Sequence, residues 1–460
     1  MRKAHFIGIA GKGMSATALL LREAGWQISG SDEGFYPPVS DYLRAANISF
    51  ATPYRKENIP ADADLIVISK NAKLVPESNE EVAAAFTSGK QVRSFPDILS
   101  DLTEEAETIV VAGSYGKSTI TALLAWCLKQ AGKDPSYFIG EVTKGFNAHA
   151  HAGKGDVFIL EGDEYPSANW DPTSKFLHYH AKNVLLTSAT HDHVNVFPTH
   201  AEYLTPFRAL IASLPADGLL VANACEPQAR ALAAASPART VFYSDPAQWH
   251  ARDIRYGLRT AFMLMRGGDQ IVGLTTTLLG AHNVENIVGA SAMLLEKDLL
   301  TAEELAAGIA SFEGVKRRME NLSPDSRVPV YEGFGSSYEK ALAAIQATKL
   351  HFPDKPLVIV FEPHTFSWRN RAYLHLYDTI FAEAGKVFVL PPETQGAATH
   401  VQVTQAEILT RIGARSEPYP GPDGVARALS GNEVVLIQTS GSLRDTLSQL
   451  VDAVTRAFPA

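Results

Sequence analysis

Gly113-Ser-Tyr-Gly116-Lys117-Ser118-Thr119 follows the apolar run Thr108-Ile-Val-Val-Ala112 and precedes a stretch with helical periodicity. Apolar residues of that stretch recur at helical spacing, at Ile120, Leu123, Leu124, Cys127 and Leu128, before Gly132 ends it. A strand, a glycine turn and a helix N-terminus form a phosphate cradle, in which backbone N–H groups and the helix dipole hold the anion. Lys117 adds positive charge, and the Ser118 hydroxyl can reach Mg²⁺. The stretch therefore predicts a nucleotide phosphate site. Because Val111 stands where the strict pattern has a glycine, a chance Gly-Lys-Ser in an ordinary strand–turn–helix is the alternative.

The composition is that of a globular protein. Of its 460 residues, 46% are hydrophobic and 20% are charged, and the net charge is −9. Negative charge argues against nucleic acid or an anionic membrane as the main partner, and no apolar run approaches the roughly 18 residues of a membrane helix. The two cysteines, Cys127 and Cys225, cannot form a disulfide framework, and the N-terminus has no apolar segment of signal-peptide length. We expect a cytoplasmic enzyme, as a monomer or homodimer.

Residues 1–104 predict a Rossmann-like domain. The strand at His5-Phe-Ile-Gly-Ile-Ala runs into Gly11-Lys-Gly13-Met-Ser15, and a second strand ends at Asp32. Glycines on a strand-to-helix turn, with an acid about twenty residues later, are typical of phosphate and ribose binding. The spacing is not GxGxxG, so glycines kept for tight packing are the alternative. A later strand, Asp64–Ser69, is predicted to be buried, and Asn71 begins the loop beyond its carboxyl end, where ligands of such sheets bind.

Residues 105–322 predict a central P-loop-type ATPase sheet. One strand ends at Glu161, and the strand from Asn183 runs toward His191, Asp192 and His193. With Ser118, the side chains of Glu161 and His193 are suited to Mg²⁺ bound to a triphosphate. A zinc pair of His191 and His193 is discounted, because no Cys or third His lies at ligand spacing. His149 and His151 lie in a polar loop and are predicted to be solvated.

Residues 323–460 predict a third unit, Rossmann-like and again α/β. Strands at Pro356–Phe361, Lys386–Leu390 and Glu433–Gln438 alternate with amphipathic helices, the last at about residues 442–457. The whole chain is thus expected to be a three-domain α/β protein.

Eight motifs, in chain order, resemble those of one protein family. They are His5–Ser15, Ile28–Asp32, Gly113–Thr119, Glu161-Gly-Asp-Glu164, Asp192-His193, Gly280-Ala-His282-Asn283-Val-Glu-Asn286, Lys316-Arg-Arg318 and Phe361-Glu-Pro-His364. The set is similar to that of the Mur ligases, ATP-dependent enzymes that build the stem peptide of peptidoglycan. The resemblance is strongest to the branch that acts on UDP-N-acetylmuramate. Several Mur ligases use a carbamylated lysine after the Asp-His motif; this chain has no lysine from 183 through 296, which agrees with that branch.

The resemblance implies a role for each matching residue. The first domain would bind the UDP-sugar through Gly11, Gly13, Met14, Ser15, Asp32, Ser69 and Asn71. The second would bind ATP through Gly113, Ser114, Tyr115, Gly116, Lys117, Ser118, Thr119, His282, Asn283, Asn286 and Arg318. The Mg²⁺ ligands would be Ser118, Glu161 and His193. The catalytic residues would be Lys117, His193, Arg318 and His364, with His191, Asp192 and His364 as candidate bases. The third domain would bind the amino-acid or peptide acceptor.

Two acceptors compete within this branch, L-alanine and the tripeptide L-Ala-γ-D-Glu-meso-diaminopimelate, which is recycled from peptidoglycan. Glu161–Asp171, Ser174–Tyr179 and Tyr36-Pro-Pro38 resemble the tripeptide enzyme. Where the alanine-adding enzyme carries arginines, this chain has Thr365 and Trp368. We therefore favour the tripeptide.

One segment departs from the family pattern. Tyr331-Glu332-Gly333-Phe334-Gly335-Ser336-Ser337 stands where an acid and a histidine are usual, so the acid is replaced by Gly333 or moved to Glu332. Ser336, with Glu339 three residues later, predicts a helix capping box. The departure keeps open a non-catalytic or regulatory nucleotide-binding relative. The first glycine loop alone would also suit a dinucleotide oxidoreductase.

Overall fold

The computed structural model describes residues 1–141, 143–191, 196–244, 246–393 and 400–460. These residues form three sheets with flanking helices, which confirms the predicted three-domain α/β architecture. The chain forms two compact units. The first comprises residues 1–254, 261–276 and 284–313, and the second comprises residues 255–260, 277–283 and 314–460. No helix among the described residues is long and apolar enough to cross a membrane.

The first sheet is a five-stranded parallel sheet of order β3-β2-β1-β4-β5. Its strands are β1 (Lys3–Ile7), β2 (Gln27–Ser31), β3 (Ser49–Ala51), β4 (Leu65–Ile68) and β5 (Gln91–Arg93), and its helices are α1 (Lys12–Glu23), α2 (Val39–Ala45), α3 (Glu80–Thr87) and α4 (Phe95–Thr103). Residues Ala4–Ile7 and the whole of β4 are buried, as in a parallel sheet covered on both faces. The strand order reverses at β1, so the ends of β1 and β4 border the crevice where such sheets bind ligands.

The second sheet has ten strands, in the order β15-β14-β13-β12-β11-β10-β6-β9-β7-β8. The strands are β6 (Glu107–Ala112), β7 (Ser136–Phe138), β8 (Ala150–His151), β9 (Val157–Glu161), β10 (Asn183–Leu186), β11 (Leu219–Asn223), β12 (Arg239–Tyr243), β13 (Trp249–Arg255), β14 (Thr260–Arg266) and β15 (Asp269–Thr276). The helices are α5 (Lys117–Gln130), α6 (His200–Ala212), α7 (Pro227–Ala233), α8 (Ala281–Glu296) and α9 (Ala302–Ser311). Strand β6 lies between β9 and β10 and is parallel to both.

The third sheet has six strands, in the order β16-β17-β21-β18-β19-β20. The strands are β16 (Glu320–Asn321), β17 (Val330–Gly333), β18 (Leu357–Phe361), β19 (Lys386–Val389), β20 (Ser416–Pro418) and β21 (Val434–Gln438). The helices are α10 (Tyr338–His351), α11 (Phe366–Arg369), α12 (Gln405–Ile412), α13 (Pro422–Ala428) and α14 (Leu447–Ala457). Helix α14 begins later than the predicted residue 442, because Leu443, Arg444 and Asp445 have left-handed φ values of 52°, 53° and 60°.

The first two sheets share one hydrophobic core. Phe95 of α4 stacks on Phe138 of β7, with ring centroids 6.0 Å apart, and both belong to a cluster that includes residues of both sheets. A Cβ atom at Gly13 would lie 2.8 Å from the Phe95 ring. Close packing of α1 against α4 therefore requires glycine at position 13, whatever its part in ligand binding.

His149 is buried in the contact between these sheets, so the prediction that it is solvated was wrong. It is 4% exposed, and its Nε2 lies 3.1 Å from both the Ser15 hydroxyl and the Lys12 carbonyl oxygen. Burial lowers its pKa to about 4, so the ring is neutral at neutral pH. His151 is half-buried and lies 3.1 Å from carboxylates of Glu23 and Asp134. The sequence pattern gave no sign of this burial, because the partners of His149 lie more than a hundred residues away in the chain.

Replacing His149 by Gln should reduce the loss of stability at acid pH. The folded pKa lies below the unfolded value of about 6.5, so the unfolded chain binds more protons between these pH values. Stability from the neutral ring is therefore present above pH 6.5 and lost toward pH 4. Between pH 7 and pH 5 the wild type should lose about 2 kcal/mol more than His149→Gln, measured by urea unfolding. His151→Gln is the matched control; equal losses in all three proteins would contradict the assignment.

Candidate active site

The turn between β6 and α5 can be made only with glycine at two positions. Gly113 and Gly116 have φ values of 136° and 79°. A Cβ atom at Gly113 would overlap the Thr187 hydroxyl, and one at Gly116 would lie 2.6 Å from Asn286 Oδ1. The Ser188 hydroxyl accepts from the backbone N–H groups of the two residues after Gly113, at 3.2 and 3.3 Å. The loop is thus held by the residues after β10 and by α8.

Helix α5 starts directly after this turn, at Lys117. Its N-cap is Gly116, and no side chain caps its first turn, so the N-terminal N–H groups and the positive end of the helix dipole are suited to an anion. The Lys117 ammonium donates to the Gly113 carbonyl oxygen at 2.6 Å and lies 3.3 Å from Glu164 Oε2. Thr119, at the third position, is buried. The geometry fits the phosphates of a nucleotide.

Ser118 and Glu161 meet at the neighbouring ends of α5 and β9. The Ser118 hydroxyl donates to Glu161 Oε1 at 2.7 Å, and the Gly140 backbone N–H donates to Oε2 at 2.6 Å. A hydroxyl and a carboxylate beside a phosphate cradle are oxygen ligands of the kind Mg²⁺ prefers, so the pair fits this ion. The third predicted ligand, His193, and the candidate base Asp192 lie outside the described residues. His191 lies beside the backbone, with Nε2 2.8 Å from the Phe197 carbonyl oxygen.

The three residues predicted to bind the adenine end of ATP, and Arg318, predicted to lie near the phosphates, differ in their surroundings. Asn286 lies against Gly116, as described above, and so borders the phosphate loop. Asn283 is buried and donates from Nδ2 to the Leu279 carbonyl oxygen at 2.8 Å, whereas His282 is exposed. Arg318 is half-buried, and its backbone N–H donates to Val315. The side chain of Asn283 therefore supports the start of its own helix.

Asp32 holds the first glycine loop in place. Its Oδ2 accepts from the Ala10 N–H at 2.9 Å, and Oδ1 accepts from the Glu33 N–H at 2.8 Å and from the Tyr54 hydroxyl at 3.0 Å. A carboxylate has about four acceptor sites, so these bonds leave about one for a ligand. Burial and the charge of Asp32 raise the pKa of Tyr54, which keeps its hydroxyl a donor.

Four other residues are predicted to bind the UDP-sugar: Ser69 and Asn71, which follow β4, and Met14 and Ser15, which are buried in α1. Ser69 lies beside the glycine loop, because a Cβ atom at Gly11 would be 3.8 Å from its hydroxyl. Asn71 is exposed, and its carbonyl oxygen accepts from Asn169 at 2.8 Å. Met14 and Ser15 are buried, and the Ser15 hydroxyl is bonded within the protein. The Ser15 backbone N–H also donates within the protein, to the Gly11 carbonyl oxygen at 2.9 Å, so neither polar group of Ser15 is left for a ligand.

Two lysines near the strand ends were not predicted as site residues. Lys175 lies 2.6 Å from Asp163 Oδ2, just beyond β9, and Lys70 follows β4 and Ser69. Burial would raise the pKa of Asp163, but the Lys175 charge outweighs it and the pKa is lowered. Burial and then the Lys175 charge lower the pKa of Lys70. Positive charge thus lies between the strand ends of the first and second sheets. The position of Lys175 inside the Ser174–Tyr179 motif was the available signal.

In the second unit, the altered segment is well packed. Glu332 is buried, and its Oε1 accepts from Arg317 Nε at 2.8 Å; burial raises its pKa against the lowering effect of that guanidinium. The Glu332 carboxylate is therefore already bound by Arg317, a residue of the same unit. The predicted capping box at Ser336 is wrong, because Ser337 is the N-cap of α10 and accepts from the Lys340 N–H. His364 follows β18, with Nδ1 3.9 Å from Glu393 Oε2.

Comparison with known proteins identifies the family. Residues 3–106 match the "Mur ligase family, catalytic domain", and residues 111–294 match the "Mur ligase middle domain". A UDP-N-acetylmuramate–L-alanine ligase from Desulforapulum autotrophicum is 30% identical over 84% of this chain and 82% of its own. A UDP-N-acetylmuramate–L-alanyl-γ-D-glutamyl-meso-2,6-diaminoheptandioate ligase from Haemophilus influenzae is 27% identical over 85% of this chain and 86% of its own. The solved UDP-N-acetylmuramate–alanine ligase from Thermotoga maritima shares the fold, with a TM-score of 0.79 at 21% identity over 99% of this chain and 100% of its own. The chain belongs to the Mur ligase family and is an ATP-dependent amide ligase.

Proposed function

We propose that this ligase joins UDP-N-acetylmuramate to the tripeptide L-Ala-γ-D-Glu-meso-diaminopimelate, with ATP and Mg²⁺. The observation that carries the activating step is the Ser118–Glu161 pair at the uncapped start of α5. The names of the relatives support UDP-N-acetylmuramate as the sugar substrate, since both act on it. Gly11, Asp32 and Ser69, gathered at the ends of β1, β2 and β4, are the proposed UDP-sugar site.

The proposed reaction has two steps. The lactyl carboxylate of the muramate attacks the γ-phosphorus of ATP, which forms an acyl phosphate and releases ADP. The acceptor amine then attacks the acyl carbon and releases phosphate. Mg²⁺, held by Ser118, Glu161 and the predicted ligand His193, would neutralise phosphate charge. Lys117 and Arg318 add positive charge, and catalysis is mainly positioning and electrostatic stabilisation. His364 is a candidate base for the acceptor amine.

Two features support the tripeptide over L-alanine. The first is the resemblance of the segment after Glu161 to the tripeptide enzyme, and the second is the pair of positions where the alanine-adding enzyme has arginines. Trp368, at a position where the alanine-adding enzyme has arginine, is buried and donates from Nε1 to the Gly335 carbonyl oxygen at 2.8 Å. Thr365 likewise donates to the Ser336 carbonyl oxygen. These two positions therefore offer no cation for the carboxylate of alanine.

A non-catalytic or regulatory relative is the second candidate function. It is favoured by Gly333, which carries no carboxylate, together with the burial of Glu332 in its pair with Arg317. A dinucleotide oxidoreductase is not supported. The phosphate loop at Gly113 is separate from the first glycine loop, and the residues around it match the middle domain of an ATP-dependent ligase family.

Replacing Lys117 by Ala should abolish ADP formation while leaving UDP-N-acetylmuramate binding within about twofold of wild type. The ammonium that would neutralise the phosphates is lost, whereas the proposed sugar site is untouched. ADP release is followed by a coupled assay and sugar binding by calorimetry. Lys133→Ala, an exposed lysine beyond the end of α5, is the control. ADP release by Lys117→Ala at the wild-type rate would refute the phosphate-loop assignment.

Replacing Glu161 by Gln should raise the Mg²⁺ concentration for half-maximal ADP formation by about tenfold or more, because the amide lacks the charge of the ligand. The measurement is a Mg²⁺ titration at fixed ATP. Glu105→Gln, at an exposed position of the same unit, should leave the titration unchanged. An unchanged midpoint in Glu161→Gln would exclude this carboxylate as a metal ligand.

Supplying different acceptors to the wild type should distinguish the candidate functions. With ATP and UDP-N-acetylmuramate, we expect sustained ADP release with the tripeptide and at most about one-hundredth of that kcat/KM with L-alanine, a difference of about 2.7 kcal/mol. Preferred turnover with L-alanine would contradict the tripeptide assignment. Absence of turnover with either acceptor would favour the regulatory relative.

A further inference from the structure

A carboxylate is buried between the first sheet and α3. Glu81, in the first turn of α3, is 0% exposed, and its Oε1 lies 2.7 Å from Nε2 of His5, a buried residue of β1. Removing a charge from water is costly, and apolar side chains of similar volume often stabilise a protein at least as well as a buried ion pair does. The position of Glu81 therefore calls for an explanation other than stability.

The carboxylate of Glu81 is fully occupied by hydrogen bonds from its own domain. In addition to the contact with His5, Oε1 accepts from the Ser31 hydroxyl at 2.7 Å. Oε2 accepts from the Arg55 N–H at 2.9 Å and from Asn58 Nδ2 at 3.1 Å. An ionised carboxylate has about four acceptor sites, so these four contacts leave none for a ligand. Any effect of Glu81 on a ligand must therefore pass through the residues that it holds.

Two of those residues adjoin Asp32, which belongs to the proposed UDP-sugar site. Ser31 directly precedes Asp32, and Arg55 directly follows Tyr54, whose hydroxyl donates to Asp32 Oδ1 at 3.0 Å. The hydrogen bonds and the two peptide links close a contact ring, which runs through Glu81, Ser31, Asp32, Tyr54 and Arg55. The contact ring ties the end of β2 to the loop after β3, and the Asp32 carboxylate lies between them.

The contact ring fixes the direction in which Asp32 can accept a further hydrogen bond. The other carboxylate oxygen of Asp32 accepts from the Ala10 N–H of the first glycine loop at 2.9 Å, so about one acceptor site is left. Hydrogen bonds weaken steeply when their distance or angle changes, so a single free site contributes to binding only if it is held in the right direction. Residues that hold a binding group without touching the ligand supply this preorganisation.

We propose that Glu81 is a positioning residue for nucleotide-sugar binding, which acts by fixing Asp32 through Ser31 and the Tyr54–Arg55 segment. The inference rests on the proposed function only in placing a UDP-sugar at Asp32. It does not depend on which acceptor the enzyme uses, because Glu81 and the residues that it holds all belong to the first domain.

The test is the affinity for UDP-N-acetylmuramate, measured by calorimetry in the absence of ATP and acceptor. Glu81→Gln replaces an acceptor oxygen by a donor and should raise Kd about tenfold or more, whereas Ser31→Ala keeps the carboxylate and should raise Kd about threefold. The matched control is Glu296→Gln, a change of a buried carboxylate of the second sheet that is bound by Arg239 and Trp249. It should leave Kd within about twofold of wild type, although it also removes buried hydrogen bonds. Urea unfolding measures the stability of each variant.

A double-mutant cycle separates positioning from a general loss of structure. Asp32→Ala should weaken binding by itself, and adding Glu81→Gln should then change Kd by less than about twofold, because the residue through which Glu81 acts is gone. The same cycle with Ser31→Ala gives the answer if Glu81→Gln does not fold. In the ADP-release assay, Ser31→Ala should raise the KM for UDP-N-acetylmuramate while kcat and the KM for ATP stay within about twofold of wild type.

Two results would overturn the proposal. The first is a Kd of Glu81→Gln or Ser31→Ala that equals that of Glu296→Gln, and the second is an undiminished effect of either change in the Asp32→Ala background. If the wild type binds UDP-N-acetylmuramate but ligates neither acceptor, the proposed function fails while these measurements still decide the role of Glu81. If ligation is normal and the variants bind as wild type does, only the role of Glu81 is refuted. A wild type that does not bind UDP-N-acetylmuramate would refute both.

Discussion

The turn after β6 imposes the constraint on which the rest of the ATP site depends. At Gly113 and Gly116 the backbone is left-handed and is pressed against Thr187 and Asn286, so a side chain at either position would force the loop away from β10 or α8. Only with the loop closed this tightly does α5 begin beside the end of β9. The closeness of the Ser118 hydroxyl to Glu161 follows from that backbone geometry.

Two lysines of the candidate site already have an acidic neighbour. Lys117 lies beside Glu164, and Lys175 lies beside Asp163, in a protein whose net charge is −9. A lysine that has an acidic neighbour can be partly buried, because its charge is paired with that of the carboxylate. An incoming phosphate or carboxylate therefore competes with fixed protein carboxylates, and the arrangement suits anions that arrive with a divalent cation.

Much of the fold and part of the site could be predicted, because they depend on short-range patterns. Apolar runs marked the strands, and the rule that parallel strands end at a common edge was enough to place Ser118 near Glu161. Contacts between distant segments had no such signal. His149 is polar and lies in a polar stretch, yet its partner Ser15 belongs to α1, a helix that flanks the first sheet. The late start of α14 was missed because Leu, Arg and Asp adopt the left-handed conformation there, where glycine is the usual indicator.

The shared core of the first two sheets has a consequence for how the chain is made. During synthesis, the first sheet leaves the ribosome with its strands complete by Arg93, but the ring of Phe95 lacks its stacking partner until Phe138 of β7 emerges. The hydrogen bond between His149 and Ser15 of α1 forms later still, because His149 follows Phe138 in the chain. We therefore expect folding of this N-terminal region during synthesis to be incomplete at the predicted boundary, residue 104. A stalled or prematurely terminated chain of that length would display apolar surface to chaperones and proteases.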